Sequence, residues 1–354
     1  MVRAPTLRDV AEQAGVHPAT ASRALNPETR RLVNDATAER VLRVARTLGY
    51  RPNPIARSLK TARSASIGVI IPDLTNPLFP PIVRGIEDVL APAGYNAWIA
   101  NTDNHPEREA AQVESMRSRH VDGLIIATAR LEHPLVERLA DEGMPLVLVN
   151  RRLAGSAVPS VTGDDATGVA LAMRHLVDLG HRRIAHLAGP QDTSTGLNRL
   201  RAYQQALHDH GLDADPALVA TCAAWTEAEG AKALGAMLDA GSPFTAVLAG
   251  NDLLALGCYD VLAERGVPCP EALSIVGFND MPYIDKLRPP LTSVRIPHYE
   301  IGAEAARLLL DGLREPHRHP RSVLMPLTLV VRQSTAPPPV VRDTGRVRAR
   351  RAAG

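Results

Sequence analysis

T-L-R-D-V-A-E-Q-A-G-V-H-P-A-T-A-S-R-A-L-N, residues 6–26, is a two-helix sequence broken by one glycine turn. Thr6 is placed to cap the first helix, with Asp9 at its third position in a near-capping-box arrangement. Val10 and Ala14 then fall on one face. Gly15 supplies the tight turn, and Pro18 sits where a helix tolerates the loss of an N–H. The second helix is predicted over Pro18–Leu25, with Ala21 and Ala24 turned inward and Ala19, Ser22 and Arg23 outward. Small residues inside with Ser, Thr and Arg outside suit a helix that lies in a DNA major groove.

Charge follows the same division. Residues 1–63 hold 12 Lys+Arg against 5 Asp+Glu, residues 64–336 hold 23 against 32, and residues 337–354 hold 5 against 1. The overall +2 therefore conceals a basic head on an acidic body, the distribution expected when one segment meets phosphates. A plain helical hairpin with a solvated basic face is the competing reading, and it leaves the coincidence of motif, spacing and charge unexplained.

The 354 residues give room for a small head and a body with a large core. No run approaches a membrane span, and the N-terminus has no apolar signal segment, so a cytoplasmic protein is expected. Cys222, Cys258 and Cys269 are odd in number and lack metal-ligand spacing, which reads as buried, reduced thiols. No metal and no cofactor is expected.

A third head helix is predicted over Asp35–Leu48, capped by Asn34, stopped by Gly49, with Val41, Leu42, Ala45 and Leu48 as its apolar stripe. Asn53 and Pro54 then open a helix of about two turns through Lys60, too short to be stable alone. Ile55 and Leu59 lie on one face with no partner inside the segment. It is either a linker helix docked on the body or a hinge that folds on DNA. From Ser66 the pattern alternates. Apolar runs at Ile67–Ile71, Gly123–Ala127, Leu146–Val149, Ile184–Ala188, Ala246–Ala249 and Ser274–Gly277 read as buried parallel strands. Amphipathic helices are predicted at Pro81–Leu90, Glu107–Arg119, Asp165–Leu179, Arg199–His210 and Asp252–Arg265. That alternation implies an α/β body of doubly wound parallel sheets behind an all-α head. The Pro- and Arg-rich tail 337–354 is expected to be disordered.

Catalytic patterns are missing: no G-x-G-x-x-G after a strand, no phosphate loop with Lys, no H-E-x-x-H and no G-x-S-x-G. An enzyme is therefore not expected.

T-L-R-D-V-A-x-x-A-G-V-x-x-x-T-x-S-R-A-L-N, followed by L-G-Y-R-P-N (48–53) and A-R-S-L-K (56–60), resembles the lactose/galactose repressor family of bacterial transcription factors. The resemblance runs over residues 6–335, with one departure at His17, where the family has a serine cap. It implies a helix-turn-helix head (1–52), a hinge helix and linker (53–63), and a two-lobed periplasmic-binding-protein-like body (64–336). Lobe 1 would hold about 64–161 and 295–324, and lobe 2 about 162–290 and 325–336. The chain would cross between them near Val161–Gly163, Pro290–Arg295 and Leu324–Leu327. The implied function is a homodimeric repressor of a pseudo-palindromic operator in double-stranded DNA, controlled by a small-molecule effector. DNA-facing residues would be Thr6, Pro18, Ala19, Thr20, Ser22, Arg23 and Asn26 in the head, and Asn53, Ala56, Leu59 and Lys60 in the hinge. Leu59 would wedge between base pairs, flanked by cations.

Ligands of open α/β sheets sit beyond the carboxyl ends of strands. There the chain offers Asp73, Asn76 and Phe79, then Asn150 and Arg151, Asp164, Arg199, Trp225, Asn251 and Asn279. Asn76 and Asp252 also suit plain helix caps, and Trp225 suits the core. Sugar-binding relatives carry Asp where this chain has Asn150 and Asn279. With Arg151 and Arg199 kept, the resemblance implies a cleft stripped of negative charge, suited to a sugar acid, a sugar phosphate or another oxygen-rich anion.

Overall fold

The computed structural model describes residues 5–26, 29–51, 64–315 and 319–339. The chain divides between Ala65 and Ser66 into two units, a head and a body.

Local chemistry builds the head. Helices α1 (Leu7–Gln13), α2 (Pro18–Leu25) and α3 (Asp35–Leu48) start at their caps. Thr6 accepts from the Asp9 backbone N–H at 3.3 Å, and Asp9 Oδ2 accepts from the Thr6 N–H at 2.7 Å, completing the capping box. His17 takes the place of a serine cap: its Nδ1 accepts from the Ala19 N–H at 3.2 Å, which requires that nitrogen to be unprotonated. Asn34 caps α3 through the Ala36 N–H, and Gly15 and Gly49 turn at φ +63 and +65.

The head core is Val10, Ala11, Ala14, Ala21, Ala24, Ala38, Val41 and Ala45. Such small side chains let three short helices approach closely, and Arg40 Nε donates to the Ala14 carbonyl at 3.0 Å to tie α3 to the turn. One detail differs from expectation. Ala38 and Val44 belong to the α3 stripe, while Leu42 stays outside the head core. The hinge residues Asn53, Ala56, Leu59 and Lys60 lie outside the described residues.

Among the described residues, the body contains two six-stranded sheets. Strands β1 (Ser66–Ile71), β2 (Asn96–Asn101), β3 (Gly123–Ile126), β4 (Leu146–Val149), β5 (Ser160–Gly163) and β11 (Ser322–Met325) form the first, all parallel, in the order β11-β5-β4-β3-β1-β2. The second holds β6 (Ile184–Ala188), β7 (Val219–Thr221), β8 (Ala246–Ala249), β9 (Ser274–Asn279), β10 (Thr292–Arg295) and β12 (Thr328–Val330), in the order β12-β10-β9-β8-β6-β7. Only the β10/β12 pair is antiparallel among these ladders.

All six apolar runs read from the sequence are strands, and six further strands accompany them. β2 escaped that reading because it is an edge strand with broken burial, and β12 because it has only three residues.

Among the described residues, eight body helices cover the sheets: α4 (Phe79–Leu90), α5 (Pro106–Ser118), α6 (Pro134–Asp141), α7 (Asp165–Asp178), α8 (Ser194–Asp209), α9 (Glu227–Asp239), α10 (Asp252–Arg265) and α11 (His298–Arg314). Helix α8 starts at Ser194 rather than Arg199, because Thr193 Oγ1 accepts from the Gly196 N–H at 3.2 Å and caps it early.

The segments expected as crossings are mostly strand. Val161–Gly163 lies in β5, Pro290–Arg295 runs into β10, and Leu324–Leu327 overlaps β11. The chain changes sheets just after the first two, since α7 packs on β10 and β12 and α11 packs on α4 and β4, and within the third, where Pro326 and Leu327 join β11 to β12. Sheet 1 and its helices thus hold 66–163 and 298–325, and sheet 2 and its helices hold 165–295 and 328–330.

After β12 the chain is pinned along sheet 2. The Ser334 hydroxyl donates to the Ile275 carbonyl at 2.6 Å and accepts from the Thr292 N–H at 2.8 Å. The Ala336 carbonyl meets His181 Nε2 at 2.9 Å. Residues 340–354 lie outside the described residues, so the expectation of a disordered tail falls mostly there. No helix among the described residues is long and apolar enough to cross a membrane.

Candidate functional site

Two surfaces carry the residues singled out in the sequence. The first is helix α2. Ala21 and Ala24 are its buried positions, which leaves Ala19 and Arg23 exposed and Pro18, Thr20 and Ser22 half-exposed. The Arg23 backbone carbonyl takes the Thr29 hydroxyl at 3.2 Å, while the guanidinium stands in solvent. Asn26 closes the C-terminal end of the helix. Thr6 sits at the start of α1 with its hydroxyl committed to Asp9, donating to Oδ2 at 2.8 Å.

The second surface is a narrow cleft between the carboxyl ends of the two sheets. It is lined by Asn76, Leu78, Phe79, Asn150 and Arg151 from the first lobe, and by Thr195, Arg199, Trp225, Asn251 and Asn279 from the second. Asp73 and Asp164, also expected there, do not line it. Asp73 Oδ1 accepts from the Thr75 N–H and hydroxyl at 2.8 and 2.7 Å, and Asp164 accepts from the Thr167 N–H and hydroxyl at 3.1 and 2.7 Å. Both carboxylates are consumed as local caps.

Asn76 and Asn251 cap as well as line. Asn76 accepts from the Leu78 N–H at 3.0 Å, and Asn251 from the Leu254 N–H at 2.8 Å. Leu78 lies in the same strand-end loop as Asn76 and Phe79, as its place in the sequence suggests, whereas Thr195 was not singled out. Thr195 owes its place to the early start of α8.

Trp225 lies flat over Gly189, where any Cβ would overlap the indole, so that glycine is what lets the ring reach the cleft. Arg199 stands in the second turn of α8, 3 % exposed. Its Nε donates to Asp165 Oδ1 at 2.8 Å and its Nη1 to the Gly250 carbonyl at 2.7 Å. The guanidinium lies 3.8 Å from the Phe278 ring centre and 5.7 Å from that of Trp225. Asp165, adjacent to the capping Asp164, is its counter-ion. Burial pushes the Asp165 carboxyl up, and Arg199 opposes that. Tyr203, one turn on, is structural: its hydroxyl donates to the Ile184 carbonyl at 2.7 Å and its ring stacks on His186.

Behind the cleft, the fully buried Asp252 accepts from the Ser293 hydroxyl at 2.6 Å and the Met281 N–H at 2.8 Å. Burial pushes its carboxyl up to about 7. An acid whose folded-state pKa is raised favours folding while protonated. Its contribution is therefore full below the ordinary carboxylate pKa of about 4 and is lost as pH rises through about 7. Asp252→Asn keeps the shape and is expected to flatten that part of the stability profile, raising Tm relative to wild type above neutrality. Thermal denaturation across pH checks this; an unchanged slope would place the titration elsewhere.

Comparison with known proteins gives a consistent result. Residues 6–53 match the family described as bacterial regulatory proteins, lacI family, and residues 64–333 match periplasmic binding proteins and sugar binding domain of LacI family. The chain is 36% identical over 333 residues to the HTH-type transcriptional repressor CytR of Escherichia coli (strain K12), covering 94% of this chain and 96% of that one. It is 34% identical over 331 residues to the ribose operon repressor of Bacillus subtilis (strain 168), covering 93% and 98%. Among solved structures it is similar to the lac repressor dimer bound to operator and the anti-inducer ONPF, with a TM-score of 0.83, 26% identity and coverage of 94% and 100%. The cellobiose complex of the transcriptional regulator CelR gives a TM-score of 0.72 at 31% identity, covering 93% and 99%.

Proposed function

The chain belongs to the lacI family of bacterial regulatory proteins, and from that premise we propose that it is a homodimeric repressor released from or driven onto its operator by a small molecule held between the lobes. A family of DNA-binding regulators, not enzymes, accounts for the absence of catalytic motifs, and work on chromosomal DNA places the protein in the cytoplasm. The observation that carries the proposal is the cavity lining. It takes five residues from each lobe, so a ligand there contacts both and biases their relative geometry. Helix α2 supplies the DNA face, with Pro18, Ala19 and Arg23 near base edges and Thr20 and Ser22 toward phosphates. Thr6 and Asn26 flank that face, and Asn53, Ala56, Leu59 and Lys60 supply the minor-groove hinge.

The test is operator binding by the full chain, using a palindromic site selected from random duplexes, with and without candidate effectors. Leu59→Ala provides a second arm. Without the wedge, the DNA bend is expected to shrink and specific affinity to fall, while non-specific binding, carried by phosphate contacts, stays near wild type. Amide exchange over 53–60 is expected to be fast in free protein and slow on operator. An unchanged bend, or protection without DNA, would make the segment a rigid linker. Failure to select any preferred site would end the proposal.

A further inference from the structure

The ten residues lining the cavity include two guanidiniums and no carboxylate. The two cations are in different situations. Arg199 is answered inside the protein by Asp165 and the Gly250 carbonyl. Arg151 is not. It is only 7 % exposed, its Nε is buried without a hydrogen-bond partner, and no carboxylate of the described residues lies within ion-pair distance. The acid that bears on it most, Asp192, stands 3.7 Å from Arg130 instead. Burial, reinforced by Arg130 and Arg199, pulls the Arg151 guanidinium down to about 10, which still leaves it charged at neutral pH.

Other acids near the cleft are occupied. Asp280 pairs with Arg295 at 2.6 Å and Arg332 at 2.7 Å, and Glu109 takes the Thr128 hydroxyl at 2.5 Å beside His133. Across the cavity in the second lobe, Asn279 is 2 % exposed with its Oδ1 unpartnered. The aromatic faces of Phe79 and Trp225 complete the lining.

A buried cation without a partner works against folding, and it is offset when a ligand supplies the missing anion. Resting on the reading of this cleft as the effector site, we infer that its ligand carries an anionic oxygen group, carboxylate or phosphate, seated on Arg151, and a hydroxyl that donates to Asn279. The class is an acidic or phosphorylated polyol. One end is read by the first lobe and the other by the second, so the ligand bridges the lobes through its own charge and hydroxyls.

Calorimetric titration and thermal shift on the full chain test this with matched sets. These are glucose and ribose; gluconate and glucuronate; glucose 6-phosphate and ribose 5-phosphate; and inorganic phosphate. Acidic members are expected to bind and raise Tm, and neutral sugars are not. The carboxylate and phosphate arms separate the two sources of charge. Arg151→Met is expected to weaken anion binding on the order of 10- to 100-fold, and Arg151→Lys to restore part of it.

Ligand-free Arg151→Met should have a Tm equal to or above wild type, because it removes an unpaired buried charge; a merely structural arginine would lower it. Neutral sugars binding as tightly as their acids, an unchanged affinity in Arg151→Met, or silence from every anionic member each overturns the inference. The two readings fail separately. Neutral sugars that bind and shift operator affinity would refute the anion and keep the effector site, whereas acids that bind without affecting operator affinity would do the reverse.

Discussion

Arg199→Ala is expected to destabilise the body by about 3–5 kcal/mol, because it leaves the Asp165 carboxylate buried without its cation. Both side chains are almost fully enclosed, at 4% and 6% exposure, so water cannot take over the pairing. The Gly250 carbonyl loses its donor at the same time, and the Phe278 ring loses the cation stacked on it. Urea denaturation measures the loss through the midpoint at constant slope.

A second variant separates folding from recognition. In Arg199→Met/Asp165→Leu neither charge remains, so much of the stability is expected to return, while the effector response stays absent. A double variant as unstable as the single one would show that the pair is not the source of the loss. A double variant with normal effector affinity would remove Arg199 from the ligand site.

Arg23→Ala is expected to weaken operator binding by about 1–3 kcal/mol and to relax the preference at one base pair in each half-site. The guanidinium is exposed on α2 and contributes nothing to the alanine core behind it, so the fold of the head should be untouched. Binding to operator and to random duplex, measured at one salt concentration, decides the assignment. Equal losses on both would make Arg23 a phosphate contact, since such contacts carry no sequence information.

The head was readable almost to the residue because its boundaries are written in local chemistry. Thr6 with Asp9, Gly15, Pro18, Asn34 and Gly49 each act within one turn of where they stand. At His17, where the resembled family has a serine cap, the ring nitrogen does the capping instead. In the body, continuous apolar runs exposed six strands, while edge strand β2 lacked the pattern.

Strand-end reasoning found most of the cavity lining and erred in one systematic way. Asp73 and Asp164 sit at the right places in the chain, but each turns back on its own loop. Asp165, the neighbour of one of them, faces the other way and holds Arg199 across 34 positions of sequence. Which of two adjacent carboxylates pairs with a distant arginine is settled by packing between α7 and α8, and no local pattern records it.

Neither lobe is a continuous piece of chain. The first sheet needs β11 at its edge, and its covering helix α11 begins only at His298. On a ribosome, then, the basic head is made first and has all of its own core residues at hand, but the first lobe cannot close until Met325 has emerged. The second lobe waits a few residues longer, for β12 and for Ser334 to lock β9 and β10. Most of the body is therefore synthesised before either sheet is complete, and the elements that complete the two sheets emerge close together. The same threading that joins the two lobes by three strands of chain also makes their folding nearly simultaneous.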